Sequence, residues 1–124
     1  MSKEARKGAD YEQRVSDYLS EALGEDIERR AKNGKNDRGD IAGLYIGGRR
    51  VVVECKNCKE MRLAEWVDEA EVERGNDDAE YGVVVHHRKG RGAKSMGESY
   101  CTMTLETFAA IVAGGRELLG TEAI

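Results

Sequence analysis

The segment Val51-Val52-Val53-Glu54-Cys55-Lys56 runs three valines into a carboxylate and an amine two residues apart. In an extended strand those two side chains share a face. A strand this apolar belongs in the middle of a sheet, where two charges are costly unless a partner or a cation meets them. Asp40 is the evident partner, because it follows Gly39 at the head of the preceding apolar run and a hairpin through Gly47-Gly48 returns it beside Glu54. Two carboxylates converging at a strand end make a hard oxygen site suited to magnesium, with manganese as a substitute. The backbone carbonyl of Cys55, between the two charged residues, can add a third oxygen. A cation held there can grip a phosphate oxygen, acidify water and screen developing charge. Lys56 can orient or deprotonate that water, or stabilise the transition state. Glu12 borders the apolar stripe of the first helix and can reach the metal through water or bind a second ion. The expected catalytic set is therefore Asp40, Glu54, Lys56 and Glu12.

Strand parity sets a condition on this arrangement. A strict two-residue Gly47-Gly48 turn pairs Ile41 with Glu54 and sends Asp40 to the opposite face. For the acids to meet, the hairpin needs an odd-length loop, a bulge, or a bend at Asp40.

The elements that must hold these residues follow from periodicity. Residues 9–23 read as a helix with Tyr11, Val15, Tyr18, Leu19, Ala22 and Leu23 on one stripe, stopped by Gly24. Residues 26–31 read as a short strand and 32–39 as a polar loop. Two strand-like runs, 40–46 and 49–56, then form the hairpin. A second helix spans 62–74 with Leu63, Trp66, Val67 and Ala70 inward, and a strand spans 81–87. A Gly-containing loop at 88–97 is expected to be mobile. A last strand at 98–103 has Tyr100 and Met103 as packing residues. Thr104 caps a final helix carrying Leu105, Phe108, Ile111 and Val112, either packed inside or forming a dimer surface. With no proline and no internal repeat, residues 1–124 read as one α/β domain, a mixed β-sheet flanked by helices.

The net charge of −4 opposes nucleic-acid binding, but its distribution does not. Residues 29–38 carry Arg29, Arg30, Lys32, Lys35 and Arg38 against one acid, and residues 86–94 carry Arg88, Lys89, Arg91 and Lys94 against none. These nine are the candidate DNA contacts. Segment 60–80 holds nine acids against two arginines, which reads as a solvated acidic helix opposite a basic side. Three cysteines argue against a disulfide framework. Cys55 and Cys58 form a C-x-x-C, but one sits inside a strand, so two ordinary thiols are expected. His86 and His87 end a strand and read as hydrogen-bonding residues. The opening MSKEARKGADYEQR contains no apolar stretch, and no apolar run can span a bilayer, so a soluble cytoplasmic protein is expected.

An Asp, about fourteen residues, and then Glu-x-Lys resembles the PD-(D/E)XK nuclease superfamily. KGADYEQRVSDYL, ERRAKNG, GDIAGL and VVVECKN, in that order, resemble its archaeal-type Holliday junction resolvases over roughly residues 7–90. The resemblance implies a restriction-endonuclease-like fold, magnesium, and cleavage of branched DNA to 5′-phosphate ends. It also implies a homodimer that places two sites on one four-way junction. By position, the family's helix acid falls on Glu12, its metal acids on Asp40 and Glu54, its lysine on Lys56, and its basic residues before the hairpin on Arg30 and Lys32. Gly39 stands where the family usually has proline. The residues alone leave two alternatives open: a restriction-like or DNA-processing nuclease of the same fold, and a non-catalytic DNA-binding module.

Overall fold

A computed structural model describes residues 2–30 and 37–120 of the chain. The expected DNA contacts Lys32 and Lys35 lie outside the described residues. Helix α1 (Lys3–Leu23) leads into short strands β1 (Glu28–Arg29), β2 (Ile41–Ala42) and β3 (Tyr45–Ile46), then the long strand β4 (Arg49–Lys56). Helix α2 (Leu63–Asn76), β5 (Tyr81–His86), β6 (Tyr100–Thr102) and α3 (Leu105–Ala113) complete the regular structure, with 3₁₀ turns at Ala93–Glu98 and Arg116–Leu118.

The strands form one mixed six-stranded sheet in the order β1-β2-β4-β5-β6, with β3 also on β4. Among the described residues only β4 and β5 run parallel, and α2 supplies the crossover that a parallel pair requires. The two faces have separate cores. Val51, Val53, Cys55 and Val83 pack with Tyr11 and Val15 of α1 and Ala110 of α3. Val84 packs with Trp66 and Ala70 of α2. Side chains alternate along a strand, so Glu54 and Lys56 lie on the α2 face. Among the described residues, no helix is long and apolar enough to cross a membrane.

Several boundaries differ from the sequence reading. Helix α1 starts at Lys3, not residue 9, because the Ser2 hydroxyl accepts from the Ala5 amide and caps it. Its first two turns are charged and carry no apolar period to read. The expected strand 40–46 is split into β2 and β3. The Thr104 cap is formed, its side chain accepting from the Thr107 amide. However, α3 turns Leu105, Phe108 and Val112 outward and buries Thr107 and Ala110. Tyr100 is 46% exposed and is not a core residue.

The split hairpin meets the parity condition. The turn is the strict two-residue one, pairing Ile46 with Arg49 and Tyr45 with Arg50. Beyond it, Ile41 pairs with Val53, one position away from where an unbroken ladder would put it. The extra residue is taken up between β2 and β3 at Gly43, whose φ of 96° suits glycine. A Cβ there would sit 2.7 Å from the Asp26 carbonyl. The bulge brings Asp40 level with Glu54.

Candidate active site

Asp40 and Glu54 are both buried, with 1% and 3% of their surface exposed. Asp40 Oδ2 accepts the Cys55 amide at 2.8 Å, and the Asp40 amide donates to the Val53 carbonyl at 2.8 Å. These two bonds fix the carboxylate against the end of β4. The N–H and C=O of a strand residue point to the same edge. The Cys55 carbonyl therefore lies on the Asp40 edge, where the sequence expected an oxygen ligand.

Helix α2 brings acids that sequence reasoning did not assign. Glu69, Glu73 and Asp77 recur every four residues and form one stripe on the helix. Glu73 and Asp77 are buried and Glu69 is half-buried. Asp37, Glu54 and Glu73 each offer a carboxylate oxygen within 4.8 Å of the other two. Asp37 is held by an Asx turn to the Gly39 amide, at 3.0 Å, and its carbonyl accepts from the Asn76 side chain at 2.9 Å. The segment read as a solvated acidic helix thus turns part of its charge into the site. Glu73 was detectable by the logic that selected Glu54. It falls seven residues after Trp66 and three after Ala70, so it is an acid on an apolar stripe. Asp37 stands in an irregular segment and gives no such signal.

The electrostatics follow from this crowding. Burial, hydrogen bonds with Asp40 and Glu73, and the charge of Asp40 drive Glu54 far above the ordinary carboxylate range. Glu73 is pushed up to about 7, chiefly by burial, with the charges of Asp37, Asp40 and Glu69 adding to it and a hydrogen bond from Glu54 opposing. Its Oε1 is buried and has no hydrogen-bond partner among the described residues. Lys56 Nζ bonds Glu69 Oε2 at 2.8 Å. Burial works against the Lys56 charge, but Glu69 and Glu54 outweigh it and hold the amine above its ordinary value. Burial likewise raises Glu69, yet hydrogen bonds from Glu54 and Lys56 leave it below the usual range. Lys56 is thus a cation and not a free base.

Asp37, Asp40, Glu54, Lys56 and Glu69 line a cleft of about 1200 Å³ together with Glu12, His86, Arg88 and Tyr100, and Glu73 is not among the lining residues. Its exposed rim carries four lysines, Lys3, Lys7, Lys59 and Lys89, against one exposed acid, Glu4. Of these four, sequence reasoning named only Lys89. Glu12, on α1, accepts from Arg29 Nε at 2.9 Å and stands outside the cluster of three acids.

Among the other expected DNA contacts, Arg29, Arg30, Arg38, Arg88 and Arg91 have partners within the chain. Arg30 bonds the buried Asp77 at 3.2 Å, with Arg38 and Arg50 at 3.9 and 3.8 Å from the same oxygen. Arg88 and Arg91 both reach Glu98, at 3.4 and 2.9 Å, and Lys94 is exposed. The loop expected to be mobile thus contains a 3₁₀ turn at Ala93–Glu98 and these side-chain ties. His86 Nε2 bonds the Thr102 hydroxyl at 2.8 Å, and His87 Nε2 lies 2.6 Å from the Arg91 carbonyl. The three cysteines are free thiols.

The donor set fits a divalent cation. It offers hard carboxylate oxygens, and it gathers more buried carboxyls than nearby cations can neutralise. It also keeps one buried oxygen without a donor, which is costly in a closed site. No family model matches the chain, and neither a curated protein nor a solved structure does.

Proposed function

We propose that this protein is a magnesium-dependent DNA endonuclease of the PD-(D/E)XK kind that cuts branched DNA to 5′-phosphate ends, with manganese able to replace magnesium. One observation carries the reading. Carboxylates from β4, α2 and the segment before β2 converge, with a lysine beside them, at a cleft whose rim carries four lysines and one glutamate. The acids suit a metal, and the rim suits a polyanion. A net charge of −4 makes that local excess of lysine more informative.

Asp37, Glu54 and Glu73 would hold the cation, with Asp40 hydrogen-bonded to Glu54 and locked by the Cys55 amide. When bound, the metal supplies Lewis-acid charge to the scissile phosphate and acidifies water. Lys56, kept protonated by Glu69, presents charge and hydrogen bonds to the phosphate oxygens as negative charge builds on them. That excludes proton abstraction as its resting role. The rim lysines grip the DNA backbone and carry no sequence information.

The resemblance to junction resolvases supplies the four-way junction and the homodimer. The outward Leu105, Phe108 and Val112 of α3 offer apolar surface for a second copy. The test is cleavage of a mobile four-way junction, a splayed duplex and a continuous duplex in magnesium, with Asp40→Asn and Glu54→Gln as controls. Cutting of the junction by wild type, lost by at least about a hundredfold in either variant, is expected. Equal activity in the variants, or activity in EDTA, refutes the assignment.

A further inference from the structure

The cleft is larger than a cation and one phosphate require, and its far wall is aromatic. Parallel pairing sets Lys56 opposite His86, and antiparallel pairing sets His86 opposite Tyr100. Residues opposite one another on neighbouring strands share a face. Lys56, His86 and Tyr100 therefore form a row across three adjacent strands on the face that also carries Glu54. At about 4.8 Å per strand, the Tyr100 backbone stands roughly 10 Å from that of Lys56.

The row is rigid. The His86 ring is 5.6 Å from Trp66 on one side and 5.5 Å from Tyr100 on the other, and its Nε2 is tied to Thr102. Tyr100 is nevertheless 46% exposed. The Arg88 guanidinium sits over its ring, 5.6 Å from the centroid. A supported, half-exposed tyrosine under an arginine, in a lysine-rimmed cleft, has the chemistry of a platform for a nucleobase. A continuous duplex keeps its bases stacked inside the helix and has none to offer.

We infer that Tyr100 stacks an unpaired base of the DNA strand whose phosphate lies at Lys56, the base taking the place over the ring that Arg88 holds in the free protein. The substrate class is then DNA with unpaired nucleotides beside the cut, such as a splayed end or an open branch point. The base lies on the Tyr100 ring, and Arg88 serves the phosphate beside it. This inference rests on the nuclease reading for the position of the phosphate, but its test does not depend on cleavage.

The experiment measures binding of the 124-residue chain in EDTA to a single-stranded oligonucleotide containing 2-aminopurine, and to the same sequence as a continuous duplex. Wild type is expected to quench the fluorescence of the single strand. Tyr100→Ala should bind the single strand about tenfold more weakly and the duplex within about twofold of wild type. Tyr100→Trp should restore binding and quenching, whereas Tyr100→Leu, which keeps apolar bulk without a π face, should not. Far-UV circular dichroism establishes that each variant is folded. Full binding by Tyr100→Leu, or equal losses on single strand and duplex, overturns the platform. Quenching that needs Tyr100 in a protein that never cuts DNA would overturn the nuclease reading and leave the platform standing.

Discussion

Glu73 makes the stability of the metal-free protein depend on pH in an unusual direction. Its carboxyl is raised from 4.5 to about 7, so the folded chain holds that proton more tightly than the unfolded one. The stabilisation is complete below pH 4.5 and is lost as pH climbs through 7. The linkage amounts to about 3 kcal/mol across that range. For a chain of this size it is roughly a 10 °C fall in melting temperature. Glu54 is raised as well and steepens the loss. His86 is lowered by burial and works the other way, below its ordinary 6.5. The clean quantity is therefore the difference between wild type and Glu73→Gln, whose amide mimics the protonated acid at every pH. Thermal unfolding in EDTA at pH 5, 6, 7 and 8 should show wild type losing stability relative to Glu73→Gln as pH rises. Magnesium should recover wild type at pH 8, by about 2.7 kcal/mol at a hundredfold excess over its dissociation constant, and leave the variant nearly unchanged. Parallel pH profiles for the two proteins in EDTA would refute the placement of Glu73 in a charge-crowded site.

Three further outcomes test the framework around the site. Gly43→Ala forces a side chain onto a φ of 96° and against the Asp26 carbonyl. It should cost about 1–3 kcal/mol in denaturant unfolding and reduce cleavage more than its stability loss explains, because the bulge aligns Asp40 with Glu54. Asp77→Asn leaves Arg30, Arg38 and Arg50 facing one another. Because these arginines keep 20%, 47% and 45% side-chain exposure, about 1–2 kcal/mol is expected, below the figure for a fully buried pair. Replacing Lys7 or Lys59 by alanine should weaken binding of all DNA sequences alike and lower the salt slope by about one; an unchanged slope would remove the rim from the interface.

The sequence revealed what obeys a period and concealed what does not. Glu54 and Lys56 stood out because a run of valines makes any charge conspicuous. The mixed sheet and its flanking helices were legible for the same reason: apolar spacing marked β4, β5 and α2. The two-residue turn was legible in Gly47-Gly48, but the bulge was not. Gly43 lies in an apolar run where a glycine can be a bulge or an ordinary strand residue, and only its packing on Asp26 decides. Glu69, Glu73 and Asp77 were hidden by company, because six other acids in segment 60–80 make the helix look uniformly solvated. Arg30 and Arg38 looked available for phosphate because their partner, Asp77, is about forty residues away in the chain.

The distribution of charge between α2 and β4 is what places the proposed cation in the middle of this seam. Helix and strand run antiparallel. Four helical residues advance about 6 Å and two strand residues nearly 7 Å, so the two repeats stay in step. The acidic stripe therefore keeps pace with β4, Glu69 at Lys56 and Glu73 at Glu54, with Asp77 beyond them reaching toward Arg50. The outer two acids have cations from the chain itself, Lys56 at 2.8 Å and Arg30 at 3.2 Å. The middle acid meets another acid, with Asp37 close by. Burial and mutual crowding raise both carboxyls, so without metal the pair favours protons. With the ends of the seam neutralised by fixed side chains, the deficit of positive charge is confined to one place, and that place opens onto the lysine-rimmed cleft.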